Sequence, residues 1–270
     1  MKFRLALSTA LLALSSVSTH AAQPPIRVIL VGDSTLAPNN GYGDALCQRF
    51  SAEVTCINLA KNGRSSGSYR AEGSWQKVQA LLADKGSFAA SYVLVEFGHN
   101  DQPGKPGRST DLKTEFPVNI GRYVDDIRAA GGTPVLATPL TRRSFVGPRL
   151  VNDLQPWADA TARVAAEQRV PLIDLLTASA AAVQAMGSAQ ADTLAVEPPP
   201  PATGASASAP ASAPASSDLA QIERVTTAKS AFDHTHVGPK GARLFAGIVA
   251  GLMQDAVPSL RAYFKNEAAQ

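Results

Sequence analysis

The chain has 270 residues, 45% of them hydrophobic, with 25 basic and 22 acidic side chains and a formal net charge of +3 at pH 7. That is apolar material for one large α/β core or two small ones, and the single run of strand and helix signals described below favours one. A balance so close to neutral offers no basic footprint for nucleic acid.

The chain opens with Met1-Lys2-Phe3-Arg4, a short apolar stretch over 5–14, and small residues ending in Ala21-Ala22. This is the pattern of a secretory signal peptide over residues 1–22, cleaved after Ala21 or Ala22. The apolar stretch is short for a membrane anchor, and no other segment is long enough to span a bilayer. Cleavage removes Lys2 and Arg4, so 25 basic residues become 23 against 22 acidic ones and the net charge falls to about +1. The expectation is a soluble, monomeric, secreted or periplasmic protein with no membrane association after cleavage. Residues 23–270 read as one domain.

Five apolar runs follow, over 28–31, 54–59, 92–97, 133–138 and 170–175. None alternates cleanly with polar residues, which marks strands covered on both faces, and the spacers are long enough for crossover helices. Helices are expected over 42–50, 74–83, 111–130, 154–168, 175–186 and 239–254. The pattern predicts a three-layer α/β/α sandwich with a mostly parallel five-stranded sheet. In such sheets ligands sit beyond the carboxyl ends of the strands.

The first run ends in Gly32-Asp33-Ser34-Thr35. Gly32 permits a tight turn, and Ser34 stands where the next helix is expected to begin, an address for a nucleophile or, equally, for a helix cap. Cys47 and Cys56 lie nine positions apart, one in a predicted helix and one in the following strand. In an exported protein such a pair reads as a structural disulfide rather than a metal or redox site. Residues 196–217, rich in Pro, Ala and Ser, have little to bury and read as a disordered or polyproline-like insertion within the domain.

Strand-end positions supply the remaining chemistry: Asn62-Gly63-Arg64-Ser65 after the second strand, Gly98-His99-Asn100-Asp101 after the third, and Asp233-His234-Thr235-His236 just before the last helix. Acyl transfer by serine needs a base, a carboxylate to orient it and donors aimed at the oxyanion, and all are present. Gly63-Arg64-Ser65-Ser66-Gly67 also fits a G-x-S-x-G elbow, but no strand ends immediately before it. Asp233, His234 and His236 could be read as a metal site, though no further ligand stands at a suggestive spacing. His99 reads as a structural histidine, with Asp101 as its only nearby carboxylate.

This set resembles the SGNH, or GDSL-type, hydrolase superfamily, which implies a flavodoxin-like sheet. Within it, Gly32-Asp33-Ser34-Thr35-Leu36-Ala37, Asn62-Gly63-Arg64-Ser65-Ser66, Glu96-Phe97-Gly98-His99-Asn100-Asp101, Thr138-Pro139-Leu140-Thr141-Arg142-Arg143, Val170-Pro171-Leu172-Ile173-Asp174-Leu175 and Asp233-His234-Thr235-His236 are similar to the rhamnogalacturonan acetylesterase family. The resemblance implies Ser34 as nucleophile, His236 as general base and Asp233 as its orienting carboxylate. It also implies an oxyanion hole from the backbone N–H groups of Ser34 and Gly63 and the side-chain amide of Asn100. It implies an acetylated polysaccharide or oligosaccharide partner, most plausibly pectic rhamnogalacturonan, and neither cofactor nor metal. Gly67 departs from the pattern, because family members usually carry a basic residue there. Arg64 and Arg70 stand nearby as candidate substrate-binding residues, and Arg142 and Arg143 after the fourth strand are candidate uronate contacts or a solvated basic pair. The alternatives are an esterase of the same type acting on another acetylated glycan or small acyl ester, and a carbohydrate-binding protein that kept the fold without the chemistry.

Overall fold

The computed structural model describes residues 23–197 and 232–265. The expected signal peptide and positions 198–217 of the expected insertion lie outside the described residues. Strand β1 (Ile26–Gly32) is followed by α1 (Gly43–Cys47), β2 (Val54–Asn58), α2 (Ser68–Ala71), α3 (Ser74–Ala83), β3 (Ala90–Glu96), α4 (Phe116–Ala129) and β4 (Thr133–Ala137). The chain continues through β5 (Phe145–Val146), β6 (Arg149–Leu150), α5 (Gln155–Gln168), β7 (Leu172–Ile173), α6 (Leu175–Asp192), α7 (Pro239–Ala256) and a 3-10 turn over Pro258–Tyr263.

The five-stranded sheet has the order β2-β1-β3-β4-β7, and every pairing in it is parallel. The continuous apolar character of the strands follows from burial on both sides. In β1, Val28 and Leu30 point into a core shared with Leu46, Phe245 and Val249. Ile29 and Val31 point the other way, against Trp75, Val78, Tyr123 and Val124. The result is an α/β sandwich in which α1, α6 and α7 cover one face and α3, α4 and α5 the other.

Strand order places the site. The chain leaves β1 for β2 on one side and reaches β3 on the other, so the connections diverge between β1 and β3 and open a crevice at their carboxyl ends. Ser34 and Asn100 follow those two strands. Gly32 makes the close approach possible, because a Cβ there would lie 2.6 Å from the Glu96 carbonyl oxygen.

The elements depart from expectation in several places. No helix starts at Ser34: residues after β1 form turns, with Ala37 N donating to Asp33 O at 3.0 Å, and α1 begins only at Gly43. The cap reading at Ser34 therefore falls away. The helix expected from 111 starts at Phe116, because Asp111 Oδ1 accepts from Lys113 N and Thr114 N in a local turn and Pro117 suits only the first helical turn. Helix α6 runs past 186 to Asp192 through a kink at Gly187, whose φ is 71°. The two-residue strands β5 and β6 and the four-residue α2 are too short to leave a periodic signal. Cys47 and Cys56 are disulfide-bonded, with Cα atoms 5.4 Å apart, tying α1 to the edge strand β2. Among the described residues no helix is long and apolar enough to cross a membrane.

Candidate active site

Ser34 is nearly buried, with 5% of its surface exposed, between fully buried Asp33 and Thr35. The flanking residues anchor the turn to β3. Asp33 Oδ1 accepts from Thr35 N at 2.9 Å and from Thr35 Oγ1 at 2.8 Å, and Thr35 Oγ1 lies 3.0 Å from Glu96 Oε1. Glu96 also accepts from the Tyr42 hydroxyl and, at 3.0 Å, from Leu140 N. Burial and the adjacent Asp33 charge push the Glu96 carboxyl up to about 7.

Gly63 adopts φ +74°, a conformation glycine enters without a Cβ penalty. Asn100 is 6% exposed and donates through Nδ2 to Arg64 O at 3.1 Å, which orients the amide and leaves its second N–H unspent. Among the described residues the backbone N–H groups of Ser34 and Gly63 donate to no acceptor. Backbone donors of buried residues are normally paired, so the unspent N–H of nearly buried Ser34 stands out; with the N–H of half-buried Gly63 and the Asn100 amide it makes a set of donors that can receive an oxygen.

Asp233 and His236 stand on the segment that leads into α7. The His236 ring Nδ1 lies 2.7 Å from Asp233 Oδ2. An ionised carboxylate only accepts, so Nδ1 carries the proton and Nε2 is left with a free lone pair. Asp233 Oδ1 accepts from Thr235 N at 2.8 Å and His236 N at 3.0 Å. Partial burial opposes the Asp233 charge, but these hydrogen bonds hold the carboxyl well below its ordinary value. The segment is tied to the β1 side by Val237 N, which donates to Asn40 O at 2.9 Å. Among the described residues the Ser34 hydroxyl donates to no acceptor.

The four arginines singled out from sequence have other occupations. Arg143 is buried and donates through Nη2 to Asp233 O at 2.7 Å and His236 O at 2.9 Å, and through Nη1 to Thr235 O at 3.3 Å. Its own N–H donates to His234 O at 2.8 Å. It is a clamp on the Asp233–His236 segment rather than a substrate contact. Arg70 pairs with Asp126 at 2.7 Å and lies over the Trp75 and Tyr123 rings, which fixes it between α2, α3 and α4. Arg64 pairs with Glu72 at 2.7 Å, and Arg142 is neutralised by Asp153 and held by Gln102 Oε1 at 2.7 Å. None of the four offers an unpaired guanidinium.

His99 also differs from expectation. Its carboxylate neighbour is Asp33, 3.5 Å away, whereas Asp101 accepts from Ser66 N, Ser66 Oγ and Thr110 Oγ1. His234 Nδ1 lies 3.2 Å from Asp192 Oδ1, so His234 and His236 serve separate carboxylates rather than one ion. What sequence reasoning passed over is the pair Lys105 and Arg108, on a Gly- and Pro-rich loop immediately after the third strand-end motif. Two cations in such a loop were a readable signal.

Comparison with known proteins follows the same outline. The model of the GDSL-like Lipase/Acylhydrolase family matches residues 30–244. Rhamnogalacturonan acetylesterase RhgT of Bacillus subtilis (strain 168) is 35% identical over 180 residues, 64% of this chain and 74% of that protein. Probable rhamnogalacturonan acetylesterase YesY of the same organism is 30% identical over 162 residues, 57% of this chain and 72% of that one. The crystal structure of the lipase/acylhydrolase from Enterococcus faecalis is similar in fold, with a TM-score of 0.51 at 17% identity over 85% of this chain and 96% of its own.

Proposed function

Because the chain belongs to the GDSL-like lipase/acylhydrolase family and is a carboxylic ester hydrolase, we propose that it is an exported acetylesterase that removes O-acetyl groups from a plant cell-wall polysaccharide, rhamnogalacturonan. The observation that carries this reading is the pair of unspent N–H groups, on Ser34 and Gly63, beside a buried serine at the sheet's switch point. The names of the two Bacillus subtilis relatives support the acetyl ester and the glycan.

In the proposed mechanism Ser34 Oγ attacks the acetyl carbonyl carbon while His236 Nε2 takes its proton. Asp233 keeps the imidazole in the required tautomer and stabilises the imidazolium. The tetrahedral oxyanion is received by Ser34 N, Gly63 N and Asn100 Nδ2, after which His236 returns the proton to the departing sugar oxygen. Water then attacks the acetyl-serine by the same route, with His236 as base, and acetate leaves. The hydrogen bond from Ser34 Oγ to His236 Nε2 that this mechanism needs is one that forms in the substrate complex.

Acetate release should be measured side by side on rhamnogalacturonan, homogalacturonan, acetylxylan and p-nitrophenyl acetate. The highest kcat/KM is expected on rhamnogalacturonan. Faster release from acetylxylan would overturn the glycan assignment, and release from none of the four would overturn the acetylesterase.

A further inference from the structure

We propose that Lys105 and Arg108, on the loop between β3 and α4, form a carboxylate-binding subsite beside the oxyanion donors, so that the enzyme selects acetyl esters on sugar chains bearing free uronic-acid carboxylates. The inference rests on the acetylesterase reading above and deepens it by assigning the side chains that read charge.

Position is the first observation. Arg108 Nη1 lies 3.5 Å from Gly63 O and 3.5 Å from Asn100 Oδ1, and 3.3 Å from where a Cβ on Gly63 would stand. The guanidinium therefore borders both residues that are to receive the oxyanion alongside Ser34. These contacts, at the outer limit of hydrogen bonding, occupy one nitrogen of a group with five N–H donors.

The second observation is the missing counter-charge. Among the described residues neither Lys105 nor Arg108 pairs with a carboxylate. Two neighbouring arginines do, Arg64 with Glu72 and Arg142 with Asp153, while the guanidinium of Arg143 is spent on backbone carbonyls. The acidic groups close enough to influence Lys105 are already engaged, Asp33 with Thr35 and Asp153 with Arg142. Burial, together with repulsion from the Arg142 and Arg108 guanidinium groups, pushes the Lys105 ammonium below its ordinary value. A carboxylate brought by the substrate would relieve that repulsion.

The third observation is that one turn presents both cations. Arg108 N and Ser109 N donate to Lys105 O at 3.0 and 2.9 Å, and Lys105 N donates to Ser109 Oγ at 2.8 Å. Ser109 Oγ in turn donates to Gln102 O at 2.8 Å. The loop is thus pre-folded, and little ordering is needed when an anion arrives. A planar guanidinium matches a carboxylate in bidentate fashion, with the ammonium as an added point charge.

The test compares acetylated oligogalacturonides with free carboxylates against the same oligomers with carboxyl methyl esters, on wild type, Lys105→Gln and the Lys105→Gln/Arg108→Gln double variant. Wild type should favour the free acid in kcat/KM by about tenfold or more, as expected for charge-assisted hydrogen bonds. That ratio should fall in Lys105→Gln and approach one in the double variant, and added NaCl should erode it in wild type. Equal rates of wild type on the two oligomers, or an undiminished ratio in the double variant, would overturn the inference. The wild-type comparison stands even if a variant fails to fold. Deacetylation of acetylxylan and methyl-esterified oligomer as fast as of the free acid defeats this inference alone, whereas release from no acetyl ester, p-nitrophenyl acetate included, defeats the acetylesterase reading and this one with it.

Discussion

The two banks of the crevice are built in opposite ways. Ser34 stands on buried ground, flanked by Asp33 and Thr35 and locked onto Glu96 of β3, 61 positions away from Thr35, so the central sheet itself fixes the nucleophile. The Asp233 and His236 side chains are 47% and 31% exposed and bond to one another and to their own segment; that segment is fastened by the Arg143 guanidinium and by a few single ties, such as Val237 N to Asn40 O and His234 to Asp192. Substrate contact on the first bank meets a preset surface; on the second, a local motif held by a few contacts, the buried Arg143 foremost, sets where the base stands. The difference teaches that the same reaction draws on global packing for one partner and on a local motif for the other.

The largest effect should come from the first bank. Ser34→Ala removes the attacking oxygen and should lower kcat about 10⁴-fold or more, read as acetate released by a protein with an unchanged circular-dichroism spectrum. Residual turnover near wild type would exclude Ser34 as nucleophile. Asn100→Ala deletes one oxyanion donor and should cost a factor of about 10² to 10³ in kcat with a smaller change in KM. An equal loss in KM alone would mean that Asn100 binds the ground state instead.

On the second bank the informative substitution is Arg143→Met. It fills similar space but leaves the Asp233, Thr235 and His236 carbonyls without their donor. A fall in kcat of about 10- to 100-fold is expected, with Arg143→Lys recovering part of it. The first bank should keep its geometry, so combining Arg143→Met with Asn100→Ala should give additive losses in log kcat; strong non-additivity would mean that the banks are coupled.

Legibility in the sequence divides along the same line. Ser34, Gly63, Asn100, Asp233 and His236 could be singled out because each sits just past a strand or inside a short motif, where local spacing carries the chemistry. The five apolar runs were readable because strands buried on both faces have no polar alternation to confuse them. The arginines were misread because a sequence displays a charge and hides its partner: Arg70 meets Asp126 across 56 positions, and Arg143 reaches carbonyls 90 and 93 positions away. Glu96 looked like the end of a strand, and only the sheet register sets it under Thr35. The helix expected over 42–50 stands at Gly43–Cys47, but none begins at Ser34, because Asp33 turns its side chain onto Thr35 and diverts the chain into turns before Gly43.

The smallest expected effect on turnover, and the sharpest probe of the buried bank, concerns the proton shared beneath Ser34. Thr35 has one hydroxyl hydrogen, and both Asp33 Oδ1 and Glu96 Oε1 lie within its reach. With both carboxyls ionised, one would face that oxygen without a donor; a protonated Glu96 removes the conflict. Burial and the Asp33 charge raise Glu96 to about 7, above its ordinary 4.5, so the folded state retains a proton that the unfolded chain has lost. Its contribution to stability is complete below about pH 4.5 and declines as pH rises through 7, by on the order of 3 kcal/mol in all. Asp101, raised by burial to about 6, adds a slope of the same sign at lower pH. Buried His99, held below its ordinary value, adds one of opposite sign. Both are common to wild type and Glu96→Gln, whose amide preserves the shape, so the difference between the two isolates Glu96. Urea midpoints measured at pH 6.0 and 7.5 should show wild type losing stability relative to Glu96→Gln as pH rises, while kcat differs by only a few-fold. A constant difference between the two proteins across that interval would mean that Glu96 is ionised throughout and that Thr35 gives its proton to Glu96 rather than Asp33.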